Sequence, residues 1–134
     1  MSRPFTVFDI AGRAMSAQLV RLNTTASNLA NAGSVAGSRA AAFRALRPVF
    51  RTVEDSPGVA TVRVENVVEA NVEPTRRHDP EHPLADANGD VWEAGVDSSA
   101  ELIDMVEAAR QYQNNVQVLQ TAKTLTLDTL RLGQ

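Results

Sequence analysis

His78 and His82 stand four positions apart with Asp79, Glu81 and Asp86 close by, the grouping in this chain best suited to hold a metal ion. Four-residue spacing brings two ligands together on a helix, but Pro80 and Pro83 keep this segment out of a helix. With no third His and no Cys anywhere in the chain, a tetrahedral ligand set is incomplete. The expectation is therefore a proline-braced loop whose histidines hydrogen-bond locally. Asp86, Asn88 and Asp90 begin like a calcium loop, yet Val91 follows where that loop needs Gly, and Asp97 stands in place of its bidentate Glu. Asn88-Gly89 between Leu84 and Val91 reads instead as a two-residue hairpin turn. No serine lies in a Gly-x-Ser-x-Gly elbow, and the glycines form no phosphate-cradling loop. The acids of the middle section are scattered singly, without the apolar pocket that separates two carboxylate pKa values. These residues predict no catalytic, metal or cofactor site and point away from an enzyme.

The elements that carry these residues divide the chain by charge. Residues 1–51 hold seven Arg and one acid, residues 52–111 hold four Arg and fourteen acids, and the rest has two bases and one acid. The two ends and the middle belong to different surroundings. The N-terminal arginines are dispersed, no aromatic residues interleave with them, and the net charge is -3, so nucleic-acid binding is not expected. No segment supplies the roughly 18 uninterrupted apolar residues of a membrane helix, so no direct membrane insertion is expected. Asp9 and Arg13 interrupt any apolar core of a secretory signal, which by the ordinary rule keeps the chain in the cytoplasm. The absence of Cys leaves the redox compartment open.

Both ends read as long helices. Phe8, Met15, Leu22 and Leu29 recur every seven residues, and Gly12, Leu19, Ala26 and Gly33 recur at the same interval four positions behind them, as in the seam of a left-handed coiled coil. From Ala14 to Ser38 the only charged residue is Arg21. A solvated helix carries Lys and Glu opposite its apolar stripe; here Ser16, Gln18, Asn23, Thr24, Ser27, Asn28 and Asn31 stand there instead. Pro4 and Thr6, with Asp9 in capping-box spacing, predict the start of a helix over about residues 6–32, and Gly33 is expected to close it in a left-handed cap. From Ser98, with Glu101 in capping-box spacing, Leu102, Met105, Ala109, Tyr112, Val116 and Leu119 alternate by three and four. Beyond Leu119 the apolar residues spread over a broader arc, which predicts contact with more than one neighbour. From Gln111 to Leu127 only Lys123 is charged.

Between the helices the rhythm changes. Phe43 to Val53, around Pro48, suits an edge strand. Asp55-Ser56-Pro57-Gly58 is a turn signal. Val62 and Val64 alternate with Arg63 and Glu65, and Val67, Val68 and Val72 extend a β-branched run. Short antiparallel strands are expected, with Trp92 as the anchor of a small sheet. The predicted fold is mainly α with a small β-rich insertion: an N-terminal helix in residues 1–35, strands and a proline-rich loop in 36–97, and a C-terminal helix in 98–134. The two helices pair as an antiparallel coiled-coil-like hairpin forming one assembly domain.

Three stretches carry a resemblance. The run Arg21-Leu22-Asn23-Thr24-Thr25-Ala26-Ser27-Asn28-Leu29-Ala30-Asn31-Ala32, the loop Asp79-Pro80-Glu81-His82-Pro83-Leu84-Ala85-Asp86, and Tyr112-Gln113-Asn114-Asn115-Val116 with the ending Leu130-Arg131-Leu132-Gly133-Gln134 together resemble the bacterial flagellar basal-body rod proteins of the axial rod and hook family. The Ala-Ser-Asn-Leu-Ala-Asn-Ala stretch is shared across that class, and the His-Pro-Leu-Ala-Asp loop points to a proximal-rod member. The chain departs from the family pattern at Glu93 to Ser99.

The resemblance implies a structural subunit that polymerises with other rod proteins and copies of itself into a hollow shaft crossing the periplasm and transmitting torque. It also implies passage through the flagellar type III export apparatus without a cleaved signal, so the lack of a signal peptide no longer argues for the cytoplasm. On this reading the termini are largely disordered in the monomer and fold on assembly, where burial between neighbours stabilises them. The expected assembly seam is Phe8, Met15, Leu19, Leu22, Ala26 and Leu29 on the first helix and Leu102, Met105, Ala109, Tyr112, Val116 and Leu119 on the last. Asn28, Asn31, Asn114 and Asn115 are expected to hydrogen-bond between helices. The same heptads would serve a cytoplasmic coiled-coil adaptor.

Overall fold

The structure, a computed structural model, describes residues 5–134; the expected helix-start role of Pro4 lies outside the described residues. Helix α1 spans Val7–Asn31 and α2 spans Ser98–Leu132. Between them lie the strands β1 (Val35–Ala36), β2 (Leu46–Ser56), β3 (Val59–Glu69), β4 (Thr75–His78) and β5 (Asp90–Glu93). The architecture is thus two terminal helices around a small antiparallel β insertion.

Helix α1 starts as its sequence dictates. The Thr6 hydroxyl accepts from the Asp9 N–H while the Asp9 carboxylate accepts from the Thr6 N–H, closing a reciprocal capping box. Its end differs from expectation. Ala32 caps it in an ordinary right-handed conformation, Ser34 turns back onto the Asn31 carbonyl, and Gly33 adopts no left-handed geometry. Helix α2 also begins differently: Asp97, one residue ahead of Ser98, accepts from the N–H groups of Ser99 and Ala100. A carboxylate at that position both satisfies orphan donors and meets the positive end of the helix dipole. Glu101 is thereby free to turn inward.

β2 and β3, at 11 residues each, are longer than the short strands expected, and they form a two-stranded hairpin closed by Pro57 and Gly58. Gly58 has φ +76°, which an L side chain seldom adopts. Pro48 pairs with Val67 in this hairpin, where both strands are edges and a missing N–H is tolerated. The second sheet has the order β1-β5-β4, all antiparallel. Asn88-Gly89 is not a two-residue hairpin turn: β5 pairs with β4, and the whole of residues 79–89 connects them. Gly89 does take the left-handed conformation (φ +74°), but inside a turn closed by its N–H to the Asp86 carbonyl. In the sheet, Val91 is fully buried while Trp92 is half-buried, so the aliphatic residue is the deeper anchor.

α1 packs against both α2 and the β2–β3 hairpin. The two helices run in opposite directions. Asn28 near the end of α1 meets Glu101 near the start of α2, and Val7 at the start of α1 shares a groove with Val118, Ala122 and Leu125. At about 1.5 Å per residue α1 is about 37 Å long and α2 about 52 Å, so α2 runs on beyond its partner. The core is small in volume, with Ala11, Ala17, Ala42, Ala45, Val91, Ala94 and Ala108 as its buried apolar members.

Candidate assembly interface

Polar side chains of α1 at Arg13, Arg21 and Asn28 tie it to the rest of the chain. The Asn28 amide treats Leu46 as a neighbouring strand would: its Oδ1 accepts from the Leu46 N–H at 2.7 Å and its Nδ2 donates to the Leu46 carbonyl at 2.9 Å. The remaining N–H of that amide reaches Glu101 Oε2 at 3.0 Å. Glu101 is wholly buried, and its other oxygen pairs with the Arg47 guanidinium. That hydrogen bond holds the Arg47 pKa above its already high ordinary value. A buried carboxylate is tolerated only when charge and hydrogen bonds compensate it, and here both do. One node therefore joins α1, the base of β2 and α2.

A second node ties the far end of the hairpin to the start of α1. The Asp55 carboxylate pairs with Arg13, accepts from the Thr61 hydroxyl and lies 3.4 Å from Arg63. Arg13 also donates to Thr61 Oγ1 at 2.9 Å and stacks 4.7 Å above the Phe5 ring. The Arg13 hydrogen bond, and after it that from Thr61, holds the Asp55 carboxyl below the usual range. Between the helices, Arg21 and Asp104 form an ion pair at 3.0 Å.

The loop from Asp79 to Gly89 is organised internally. Asp86 Oδ1 accepts from the N–H groups of Asn88 and Asp90, which lowers its pKa, with the Asp90 bond the larger cause. The His82 ring accepts from the Leu84 N–H, and His78 meets Asp90 at 2.9 Å. The two histidines thus turn to different partners, and among the described residues no cluster of three ligating side chains occurs. Among the described residues no helix is long and apolar enough to cross a membrane.

The expected seam residues are distributed unevenly. Phe8, Leu19, Ala26 and Leu102 are exposed, whereas Met15, Leu22, Leu29, Met105, Ala109, Tyr112, Val116 and Leu119 are half-buried. The buried positions of α1 are Ala11, Ala17, Thr24, Thr25 and Asn28, and those of α2 are Glu101 and Ala108. Of the four asparagines, Asn28 bridges the helices. Asn31 and Asn115 donate to the carbonyls of Ser27 and Gln111 in their own helices, and Asn114 is exposed. Arg47 and Glu101 were not legible as partners: the charge of Glu101 suggested a cap, and nothing in the spacing connects it to residue 47.

α2 presents two exposed apolar stretches. Leu102, Ile103 and Val106 form one near its start, with Ile103 70% exposed. Leu125, Leu127, Leu130 and Leu132 form the other at its end, with Leu132 88% exposed. Exposed apolar area of this kind on a helix marks an interaction surface.

Two family models match the chain. Residues 8–37 match that described as flagella basal body rod protein, and residues 87–132 match the C-terminal region of flagellar basal body rod FlgEFG proteins. The chain is 47% identical over 130 residues to flagellar basal-body rod protein FlgC of Salmonella typhimurium, covering 96% of each chain. The identity is also 47% to the FlgC protein of Escherichia coli O6:H1, with the same coverage. It is 37% over 123 residues, 90% of each chain, to the FlgC protein of Aquifex aeolicus. These matches favour a structural rod component over a cytoplasmic adaptor or an enzyme. The chain belongs to the flagellar basal-body rod protein FlgC family.

Proposed function

We propose that this protein is a structural subunit of the bacterial flagellar basal-body rod, and that it polymerises through its terminal helices. Its partners are other rod proteins and copies of itself, and the assembled product is the hollow shaft that crosses the periplasm and carries torque. It reaches that site through the flagellar type III export apparatus, and a chain without cysteine suits threading through a narrow channel.

The observation that carries this reading is the free end of α2. Leu125, Leu130 and Leu132 are exposed toward the end of α2, where Leu125 and Thr126 still border the groove at Val7, and Thr124, Thr126 and Thr129 donate to the carbonyls of Gln120, Ala122 and Leu125. Hydroxyls satisfied within their own helix can be buried without a new partner, so the leucine and threonine positions can enter an apolar interface while Asp128 and Arg131, paired with each other, stay at its rim. The expected seam of Phe8, Met15, Leu19, Leu22, Ala26 and Leu29 with Leu102, Met105, Ala109, Tyr112, Val116 and Leu119 then serves partly within the chain and, at its exposed members, between chains.

The test is a Leu125→Asp, Leu130→Asp double variant expressed in a strain lacking this gene. Folding of the isolated chain should change by less than about 0.5 kcal/mol, because both sites are exposed. Recovery in isolated basal bodies and swimming in soft agar should both be lost. Wild-type incorporation and motility would overturn the proposal.

A further inference from the structure

We infer that the Asn28–Leu46–Glu101–Arg47 node is a register lock, fixing the axial position of α2 against α1 and so deciding which faces of the two helices remain exposed.

The need for a lock is visible in α2. Acids stand at Glu101, Asp104 and Glu107, one helical turn apart. The ion pair from Arg21 to Asp104 therefore does not define a single alignment. A slide of α2 by three residues, about 4.5 Å at the ordinary rise, would offer Glu107 to Arg21 and Asp104 to Asn28. Helix pairs are known to move by such one-turn steps. Apart from the node, the buried residues of the two helices are short, Ala11, Ala17, Thr24 and Thr25 on α1 and Ala108 on α2, while the larger Met15, Leu22, Met105 and Tyr112 are half-buried.

The node resists such a slide on three counts. Asn28 spends both of its amide donors and one acceptor site here, on the two Leu46 backbone groups and Glu101. Leu46 belongs to β2, so Asn28 is referenced to the hairpin and not to α1 alone. Glu101 is wholly buried and loses both compensating partners if it moves. In the slid alignment the long Gln111 side chain would also have to fill the site of Ala108, which is fully buried. Arg47 lies on the same strand as Leu46, so a single short segment of β2 holds both helices.

The absence of cysteine allows the alignment to be measured directly on the full chain. Spin labels are attached to cysteines introduced at Asn23 and Gln120, both exposed and well separated along the helix pair, and their distance is read by pulsed electron paramagnetic resonance. The otherwise wild-type chain should give one distance. Asn28→Ala and Glu101→Gln, each with helix content checked by circular dichroism, should each add a second population displaced by about 4–6 Å, one helical turn. Arg21→Met should leave a single, undisplaced distance. One unshifted distance in both folded node variants would overturn the lock. So would loss of helix in both, since the node would then supply stability and not alignment. The labels report on the isolated chain, so either outcome leaves the rod assignment standing.

Discussion

Gly95 sits where three backbone segments meet, and replacing it with alanine is the sharpest test of this packing. A Cβ built there would lie 2.4 Å from the Val72 carbonyl oxygen and 3.2 and 3.3 Å from the carbonyl carbons of Val72 and Glu73. All three are backbone atoms, so no side chain can rotate away. Gly95 cannot retreat freely either. Its N–H donates to the Phe43 carbonyl at 2.8 Å, and its own carbonyl accepts from the Ala45 N–H at 3.1 Å. Relief of an overlap of this size costs about 1–3 kcal/mol. Losing one of the two hydrogen bonds instead costs about 0.5–1.5 kcal/mol. Against this, alanine restricts the unfolded chain and returns about 0.4–1 kcal/mol. The clash prevails, and Gly95→Ala should destabilise the chain by about 1–2 kcal/mol. Urea unfolding followed by circular dichroism reads this as a lower midpoint at unchanged slope. Hydrogen exchange should quicken at the Ala45 and Gly95 amides. An unchanged or raised midpoint would show that Val72 does not press on this position.

The other glycines and one carboxylate give companion tests. Gly12 lies inside α1 with nothing within 4 Å of an added Cβ, so Gly12→Ala should stabilise the isolated chain by about 0.5–1 kcal/mol in the same urea assay; if its face packs closely in the rod, incorporation into basal bodies should fall at the same time. Gly89→Ala combines a left-handed backbone with close approach to Pro80 at 3.0 Å and His78 at 3.1 Å. It should cost about 1–2 kcal/mol, measured as a shift of the unfolding midpoint, with the exchange changes confined to the loop at residues 79–89. Asp55 is held below the ordinary carboxylate range in the folded chain. Its pairing therefore stabilises the fold fully above the unfolded-state value of about 3.9, and that contribution disappears as pH falls through the lower folded value. The stability gap between wild type and Asp55→Asn, from urea midpoints at successive pH values, should be constant near neutrality and close below about pH 4.

The helices and the hairpin turn were legible because their signals are local. Thr6 with Asp9 makes a capping box from side chains three residues apart, and the Pro57-Gly58 turn needs only a φ that glycine allows. The ends that were misread also have local causes. Gly33 looked like a cap, but Ser34 satisfies the last turn by bonding back to Asn31, so no left-handed residue is required. Ser98 with Glu101 matched a capping pattern, yet Asp97 is a better acceptor at a helix start and displaced it. The pairing of Asn28 with Leu46 could not be read at all. Eighteen residues separate them, and no periodicity links a helix amide to a strand backbone.

The polar, charge-poor face of α1 is where sequence and structure together explain more than either alone. Heptad apolar residues suggested that the leucine side of the helix would be the buried one, but depth of burial followed hydrogen-bond satisfaction. Thr24 and Thr25 are buried because their hydroxyls donate to the Val20 and Arg21 carbonyls one turn back, leaving only methyl groups to meet α2 and the hairpin. Short side chains satisfied in this way let backbones approach closely, whereas Leu19 and Phe8 remain exposed at 44% and 41%. The same back-bonding recurs at Thr124, Thr126 and Thr129, toward the exposed end of α2. A soluble helix end gains little from this arrangement, since water would satisfy those hydroxyls equally well. It gains a great deal if the surface is to be dried by another subunit, and replacing Lys and Glu with threonine and amide side chains removes the desolvation cost that charged groups would impose at that moment. The charge-poor stretches, residues 14–38 around Arg21 and 111–127 around Lys123, therefore suit close packing, a requirement that α1 meets within the chain at Ala17, Thr24, Thr25 and Asn28.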